Sequence, residues 1–450
     1  MRSRLLCFGA LCLWLDRPLA SKGGRLDSRW FWGLEKRSDK VERRCQNGTG
    51  NFMLSVQGWT YLFYLQDDIY MVGAFSLVTP TEIVFGRGNV AQLNDRATTM
   101  GTRVLIVHGS NPGRLAEVLT SLTTVEIVQT LSVEKEPDLN ALTAAVDQGK
   151  KLGVDLVIGI GGGSVMDSAK VLAAMLPSET DLMRHLEVVG EGLPLTAKRL
   201  PLILVPTTSG TGAEVTRNAV IDIPDAQRKV SLRDNQLLPD LALIDPALTD
   251  NCPRHVSLHS GLDAITQVIE PYLSSRANLF TDMLCKEAIP KGLAALKQLM
   301  NGESKEARDA LAQVSLFGGL ALANSGLGVV HGLAGPLGGL CGAPHGAICG
   351  ALLPAGIAAN RDAVTEAEHK ARIDQVIGWI AEVFETNSDQ ALPRFHEWII
   401  QSGLPGLESI GVTEEHIIAA SKAAASSSSM KANPVELPTA TIEHIMRQSF

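Results

Sequence analysis

The first half of the chain alternates short aliphatic runs with longer segments of helical periodicity. Continuous aliphatic runs are typical of strands buried on both faces of a parallel sheet. They lie at residues 104–107, 125–128, 156–160, 201–205 and 241–244, while apolar residues recur at helical spacing over 139–152 and 165–175. This alternation predicts an α/β domain with a parallel sheet over residues 71–245.

After residue 245 the strand signals stop and only helical periodicity continues. Apolar residues recur at helical spacing over 264–273, 281–299, 307–323, 372–384 and 414–425. The pattern predicts an all-α C-terminal domain over residues 246–450.

Residues 1–70 follow neither pattern. They begin with a basic start and a short apolar run that Asp16 and Arg17 interrupt, and then mix Trp, Arg and Gly without periodicity. The small-residue cleavage pattern of a signal peptide is poor. We expect a disordered or non-native extension, with the working protein beginning near Met71. No apolar run approaches the ~20 residues that cross a bilayer.

Composition narrows the class of protein. The net charge of −8, without a cluster of Lys and Arg after the first 45 residues, argues against a nucleic-acid partner. Seven cysteines, an odd number without paired spacing, fit a reduced cytoplasmic protein better than a disulfide scaffold. We therefore expect a cytoplasmic protein without a membrane or nucleic-acid partner.

A glycine turn joins a predicted strand to a predicted helix. Gly161, Gly162 and Gly163 follow the strand at 156–160, and Ser164 precedes the helix. Glycines let a backbone approach a pyrophosphate closely, and a helix start offers free N–H groups and the positive end of a dipole. This position predicts a dinucleotide site, so the α/β domain is expected to be the dinucleotide-binding domain.

A second loop, PTTSGTGAEVT at 206–216, follows the strand at 201–205. Its hydroxyls, including those of Thr207, Thr208 and Thr211, form a polar surface without charge that suits ribose, phosphate or carboxamide. Alone, the loop would be an ordinary Ser/Thr-rich turn. Beside the glycine turn it becomes a candidate part of the same site.

Candidate metal ligands lie in the helical half. Asp263 and Gln267 are four residues apart on a predicted helix, so both project from one face. His331 and His345 lie in a glycine-rich segment, each followed by a glycine. A carboxylate, an amide oxygen and two imidazoles together can bind a divalent cation.

Four blocks carry a family resemblance. Their order and spacing resemble the iron-activated (group III) alcohol dehydrogenases, within the dehydroquinate-synthase-like superfamily, over about residues 75–450. They are GIGGGSVMD at 159–167, PTTSGTGAEVT at 206–216, GLDAITQVIEPY at 261–272 and GVVHGLAGPLGGLCGAPHGAICGALLP at 328–354. The resemblance implies an oxidoreductase that transfers hydride between NAD(P)(H) and an alcohol, aldehyde or ketone. It also implies a homodimer or larger homo-oligomer.

The resemblance implies a ligand set from which this chain departs. The family binds its metal through an Asp and three His, and Asp263, His331 and His345 match three of these four. Gln267 stands at the position of the other imidazole, and Gly335 stands where the family has a histidine near the nicotinamide. Gln267 could supply a weak amide donor to Fe(II) or Zn(II), or could hydrogen-bond the substrate in a site without metal.

The resemblance also assigns Asp167 and Lys229 to cofactor contacts. Between Val107 and Arg114 the sequence has no carboxylate, and Gly109 stands where NAD-preferring members look acidic. An acidic residue at a strand end usually holds the ribose 2′-hydroxyl of NAD. The sequence therefore favours NADP(H) over NAD, with both admitted.

Two other functions stay open. One is a metal-independent reductase similar to the maleylacetate reductases, in which side chains replace the ion. The other is a non-catalytic, dinucleotide-binding assembly protein. The joint presence of Asp263, His331 and His345 argues against the second, because a structural protein has no need of that cluster.

Overall fold

The computed structural model divides the chain into two units, Met1–Gly73 and Ala74–Phe450. In the first unit it describes only the backbone of five short strands, so the extension predicted over residues 1–70 falls largely outside the described residues. In the second unit it describes all but Glu136, Gln227, Ala425 and Ser426, and it omits the side chains of Pro112, Arg114, Pro224 and Arg228.

A six-stranded parallel sheet forms the first part of the second unit. The strands are β1 (Glu82–Phe85), β2 (Arg103–Gly109), β3 (Glu126–Val133), β4 (Leu156–Gly161), β5 (Leu202–Pro206) and β8 (Leu241–Ile244). Their order is β1-β8-β5-β4-β2-β3, with every neighbouring pair parallel. The predicted parallel sheet is confirmed, and β1 is the strand that the aliphatic runs did not indicate.

Helices cover both faces of this sheet. Leu105 and Val107 of β2 pack into one apolar cluster, while Val104 and Ile106 pack into the cluster on the other face. This two-sided burial explains why the strands are aliphatic throughout. The helices are α1 (Leu93–Met100), α2 (Ala116–Ser121), α3 (Leu139–Leu152), α4 (Gly163–Met175) and the short α5 (Leu182–His185).

A two-stranded antiparallel hairpin extends this part of the molecule. It consists of β6 (Asn218–Ile223) and β7 (Arg228–Arg233), with Val220 opposite Ser231. The backbone N–H of Val220 donates to Asp167 on α4 at 3.0 Å. Asp167 therefore ties the hairpin to the helix that follows the glycine turn.

The rest of the unit is helical, as predicted. The helices are α6 (Arg254–Leu273), α7 (Leu279–Asn301), α8 (Lys305–Ser325), α9 (Val329–Cys341), α10 (His345–Ala363), α11 (Ala367–Val383), α12 (Ser388–Gln401), α13 (Glu414–Ala424) and α14 (Thr439–Gln448). Every one of them contributes to one large aliphatic core.

The central helix α6 is buried continuously from Gly261 to Leu273. Within the described ranges, no single helix is both long and apolar enough to cross a membrane. One pair of consecutive helices, α8 and α9, reaches that length and composition together, and their axes are bent by 100°.

Candidate active site

The glycine turn lies at the carboxyl edge of the parallel sheet. Gly161 ends β4, and Gly162 caps the N-terminus of α4 in extended conformation. A β-carbon on Gly161 would lie 2.5 Å from a methyl carbon of Val165, so only glycine lets the chain turn so tightly into the helix. The predicted strand–glycine–helix arrangement is therefore present, with the free N–H groups of α4 at the edge of the sheet.

The hydroxyl loop lies directly beside this turn. The N–H of Thr207 donates to the carbonyl of Gly161 at 2.8 Å. A β-carbon on Gly162 would lie 3.3 Å from the Thr208 hydroxyl, and one on Gly163 would lie 3.0 Å from that of Thr211. The three predicted threonines thus line the glycine turn, and Ser164 is partly exposed beside them.

The same loop also reaches the helical half of the unit. A β-carbon on Gly210 would lie 2.9 Å from the β-carbon of Ser260 on α6. Gly212 adopts a positive φ of 55°. A β-carbon placed on Gly212 would lie 2.8 Å from the Cα of Gly319 on α8, so the two glycines are in close contact. The loop therefore spans from the glycine turn to the helix that carries Asp263.

The other two predicted cofactor residues lie at the hairpin: Asp167 is on α4 beside it, and Lys229 is within its strand β7. Asp167 accepts from Val220, and its second oxygen lies 3.7 Å from the ammonium of the fully buried Lys170. Lys229 on β7 extends to helix α9, where its Nζ would lie 3.1 Å from a β-carbon on Gly338. Asp167 is thus engaged within the protein, whereas Lys229 lies against the helix that carries His331.

Asp263, His331 and His345 converge from three helices. Nε2 of His331 lies 3.4 Å from Oδ1 of Asp263, and Nε2 of His345 lies 3.8 Å from the same oxygen. Asp263 and His331 are buried, while the His345 side chain is one-third exposed. The cluster is therefore closed on the side of α6 and α9 and accessible at His345.

Gln267 lies one turn after Asp263 on α6. Its Nε2 donates to Oδ2 of Asp263 at 3.1 Å. Three buried atoms of this cluster have no hydrogen-bond partner: Oδ1 of Asp263, Oε1 of Gln267 and Nε2 of His331. Buried polar atoms are nearly always satisfied in folded proteins. Orphaned buried polar atoms on three neighbouring side chains of this cluster therefore fit a divalent cation.

Glu270, which the sequence analysis did not select, orients His331. Its Oε2 lies 2.6 Å from Nδ1 of His331, and its two oxygens also accept the N–H groups of Val330 and His331 at the start of α9. Metal-binding histidines usually donate their second N–H to a carboxylate in this way. The available signal was its position, seven residues after Asp263 and so on the same face of α6.

Cys349 is the second residue that sequence reasoning missed. It lies one turn after His345 on α10, and its Sγ lies 3.6 Å from Nε2 of His345. Ligand atoms of Asp263, His331, His345 and Cys349 all lie within 4.8 Å of one another. The i, i+4 spacing from His345 was the sequence signal for this thiol.

Glycines allow α10 to approach α6 closely enough to build the cluster. A β-carbon on Gly346 would lie 2.2 Å from the carbonyl oxygen of His259, and one on Gly350 would lie 2.5 Å from a methyl group of Leu262. Any side chain at Gly346 would collide with backbone, which cannot rotate away. The position of His345 therefore depends on this contact.

The charges of the cluster stabilise one another. Burial disfavours the Asp263 carboxylate, but His331 and His345 outweigh that effect and lower the pKa of Asp263. Burial likewise disfavours imidazolium, but the Cys349 thiolate and Asp263 raise the pKa of His345 to about 9 and that of His331 well above its usual value. Burial disfavours the thiolate too, and the two histidines lower the pKa of Cys349. A bound divalent cation would displace these protons from the histidines and would itself compensate the negative charges of Asp263 and Cys349.

Gly335 lies one turn after His331 on α9. A β-carbon placed there would meet no atom within 4 Å. The absent side chain therefore leaves open space on the helix that carries His331.

Comparisons with known proteins match both parts of the second unit. The family model described as iron-containing alcohol dehydrogenase matches residues 80–246. The model of the C-terminal region of the Fe-containing alcohol dehydrogenase family matches residues 257–450.

Individual relatives are similar over most of their length. A probable alcohol dehydrogenase, EutG, of Escherichia coli is 32% identical over 395 residues, which are 86% of this chain and 97% of the relative. A lactaldehyde reductase of Escherichia coli is 31% identical, over 80% of this chain and 95% of the length of that relative. A 4-hydroxybutyrate dehydrogenase of Cupriavidus necator is 32% identical, over 68% of this chain and 80% of the length of that relative.

Solved structures share the fold. An alcohol dehydrogenase from Oenococcus oeni superposes with a TM-score of 0.74 at 27% identity, covering 84% of this chain and all (100%) of the other. A 1,3-propanediol oxidoreductase superposes with the same TM-score, 0.74, at 26% identity, with 84% of this chain and 100% of the other covered.

Proposed function

Because the chain belongs to the iron-containing alcohol dehydrogenase family, a family of alcohol and aldehyde oxidoreductases, we propose that it transfers hydride between a nicotinamide dinucleotide and such a substrate. One observation carries the proposal. The loop that lines the glycine turn through Thr208 and Thr211 also touches α6 at Ser260, one turn before Asp263. A dinucleotide laid along this loop therefore ends beside the cluster of Asp263 and the histidines.

The cofactor is held by the edge of the sheet. Its pyrophosphate lies over Gly161, Gly162, Gly163 and Ser164 at the start of α4, where free N–H groups favour negative charge. Its nicotinamide end lies near Thr207, Thr208 and Thr211, and Lys229 contacts the cofactor from the hairpin. Asp167 supports the cofactor site indirectly: it holds the hairpin that carries Lys229 against α4.

The adenosine ribose lies at the end of β2, beside the turn. Val107 and His108 of β2 pair with Gly159 and Ile160 of β4, so the two strand ends are adjacent. Gly109 ends β2, and a β-carbon there would meet nothing within 4 Å. The open position without a carboxylate supports NADP(H) over NAD.

Asp263, His331 and His345 are the residues that would hold a divalent metal, Fe(II) or Zn(II), with Gln267 beside them. When bound, such an ion polarises the substrate oxygen and stabilises the developing alkoxide charge. Glu270 keeps the Nδ1 proton of His331 in place, so Nε2 presents its lone pair to the cluster. The partly exposed His345 faces the side from which substrate enters.

The substrate is an aldehyde or alcohol that is bulkier or more polar than a short alkanol. The space at Gly335 admits a larger group beside His331. The names of two relatives, lactaldehyde reductase and 4-hydroxybutyrate dehydrogenase, support a substrate with a second oxygen function.

The protein acts in the cytoplasm as a homodimer or larger homo-oligomer, without a membrane or nucleic-acid partner. Its working domains are the dinucleotide-binding domain at 71–245 and the helical domain at 246–450. The described cysteines Cys252, Cys285, Cys341 and Cys349 are free thiols, which supports a reducing compartment.

Metal analysis of anaerobically purified protein, paired with NADPH and NADH turnover on a panel of aldehydes, tests the proposal. We expect about one Fe or Zn per chain, with turnover lost to a chelator and restored by the ion. Asp263→Asn should lose both metal and turnover, whereas substitution of the exposed Asp389 by Asn should lose neither.

Two other outcomes would favour the alternatives. Turnover that survives chelation, in protein without metal, would indicate a metal-independent reductase in which Gln267 and the histidines hydrogen-bond the substrate. Dinucleotide binding without turnover on any substrate would indicate the non-catalytic assembly protein.

A further inference from the structure

The thiol of Cys349 lies where a fourth metal ligand is needed. Three side chains, Asp263, His331 and His345, converge on one point, and Gln267 stands at the position of the imidazole that would complete the set. Cys349 is fully buried, and its Sγ lies 3.6 Å from Nε2 of His345. The orphaned Oδ1 of Asp263 and Nε2 of His331 face the same point.

The spacing of the donor atoms matches a tetrahedral site. Zinc binds sulfur at about 2.3 Å and histidine nitrogen or carboxylate oxygen at about 2.0–2.2 Å, so the edges of the tetrahedron are about 3.3–3.7 Å long. The distances from Asp263 Oδ1 to the nitrogens of His331 and His345 are 3.4 and 3.8 Å, and the sulfur–nitrogen distance is 3.6 Å. These three distances lie within about 0.1 Å of that range, and all four ligand atoms lie within 4.8 Å of one another, so small side-chain shifts would place one cation between them.

Charge favours Cys349 over Gln267 as the fourth donor. A buried divalent cation is stable only when nearby anions compensate it. Asp263 and a Cys349 thiolate together supply two negative charges, whereas Asp263 with the neutral amide of Gln267 supplies one. The Nε2 of Gln267 donates to Oδ2 of Asp263, which orients that carboxylate, and the unpartnered Oε1 of Gln267 is a neutral donor.

We propose that Cys349 Sγ is the fourth protein ligand of the metal, in a set completed by Asp263, His331 and His345, while Gln267 positions the Asp263 carboxylate. The inference rests on the metal site of the proposed function. On binding, the protons held by the Cys349 thiol and by the ligating nitrogens of the two histidines leave to solvent, and the metal–sulfur and metal–nitrogen bonds form. Because thiolate is a soft ligand and zinc stands above ferrous iron in intrinsic affinity, this donor set selects Zn(II).

X-ray absorption on zinc-loaded full-length protein tests the sulfur ligand directly. We expect one sulfur scatterer at about 2.3 Å in the wild type, and none in Cys349→Ser. Cobalt-loaded wild-type protein should show a thiolate-to-cobalt charge-transfer band that the same variant lacks. The matched control is Cys341→Ser, since Cys341 lies on α9 and donates to the Leu337 carbonyl instead.

Competition with a chromophoric chelator gives the affinity. Loss of a direct ligand should weaken zinc binding by at least the ~10–100-fold that loss of an outer-shell partner causes. The Cys341→Ser control should bind zinc like the wild type. Circular dichroism of each variant separates loss of a ligand from loss of the fold.

The outcomes separate this inference from the proposed function. Stoichiometric metal with only nitrogen and oxygen ligands, and unchanged affinity in Cys349→Ser, would overturn the thiolate ligand while leaving metal-assisted hydride transfer intact. A wild-type protein that binds neither zinc, iron nor cobalt would overturn both the thiolate ligand and the metal site itself.

Discussion

Nδ1 of His331 lies 2.6 Å from Oε2 of Glu270, and this contact leaves Nε2 of His331 as the nitrogen that faces Asp263. Glu270 also accepts two backbone N–H groups at the start of α9. One buried carboxylate therefore fixes both the helix that carries His331 and the tautomer of its ring.

We expect Glu270→Gln to weaken metal binding about 10–100-fold, as loss of a carboxylate behind a metal-bound histidine does. The amide presents a single oxygen to three donors, so the His331 ring loses its fixed orientation. Chelator competition measures the effect. The control is Glu287→Gln, since Glu287 on α7 is exposed and pairs with Lys291 on its own helix. Unchanged metal affinity in a folded Glu270→Gln protein would show that Glu270 serves the helix start alone.

A second prediction concerns the contact between α6 and α10. A β-carbon on Gly346 would lie 2.2 Å from the backbone oxygen of His259, so Gly346→Ala must move α10 and with it His345. We expect a loss of about 1–3 kcal/mol of stability from overpacking, together with loss of metal binding, measured by urea unfolding and metal analysis.

Gly378→Ala on α11 is the matched control. A β-carbon at Gly378 meets nothing within 4 Å, and alanine is favoured over glycine in a helix by roughly 0.5–1 kcal/mol. The control should therefore gain stability and keep its metal. A Gly346→Ala protein with wild-type metal content would contradict the role assigned to this contact.

The sequence predicted those helices and strands whose hydrophobic pattern matches their burial in the folded protein. Helix α3 spans Leu139–Leu152 as expected, with Asp138 capping its start and Gly153 in left-handed conformation at its end. Strand β4 was equally clear, because every one of its residues is buried. The hairpin of β6 and β7 was missed, because its alternating burial is short and its polar residues resemble a loop.

The helices α9 and α10 were not predicted as elements, because each contains several glycines and a proline, which lower helix propensity. Tertiary packing outweighs that preference, since their glycines permit the close approaches that build the site. Asp263, His331 and His345 were candidates from their spacing and setting, and the resemblance gave them the role of metal ligands. Glu270 was not assigned because its partner His331 lies on another helix, and Cys349 was not assigned because the i, i+4 spacing from His345 acquires meaning only when Asp263 and His331 join them in the fold.

Cofactor preference gives a third prediction, at Gly109. We expect Gly109→Asp to shift the preference from NADPH towards NADH by about 10–100-fold in the ratio of kcat/KM. A carboxylate there repels the 2′-phosphate and can accept from a ribose hydroxyl, and a shift of about 10–100-fold corresponds to roughly 1.4–2.8 kcal/mol. Steady-state kinetics with both cofactors measures the shift.

The isosteric control is Gly109→Asn, which adds the same volume without charge. It should leave the preference close to that of the wild type. If both variants lower kcat/KM equally for NADPH and NADH, the ribose does not lie at the end of β2.

The fourth prediction follows from a buried acid in the loop at 206–216. Burial raises the pKa of Glu214 from 4.5 to about 7, although the nearby charge of Lys170 lowers that pKa. The folded protein therefore holds the Glu214 proton more tightly than the unfolded chain does. The resulting stability is fully present below pH 4.5 and is lost as pH rises to about 7.

Glu214→Gln removes this titration while keeping the shape of the side chain. Relative to the wild type, we expect the variant to gain stability between pH 5 and pH 8, by at most about 3 kcal/mol. Lys170 keeps its bonds to the Thr216 hydroxyl and the Asn218 carbonyl, so the variant is expected to fold. Urea unfolding at the two pH values measures the difference, with Glu191→Gln in an exposed pair as control. Parallel pH profiles for the wild type and Glu214→Gln would mean that Glu214 is already ionised at pH 5, which would require Lys170 to be charged beside it.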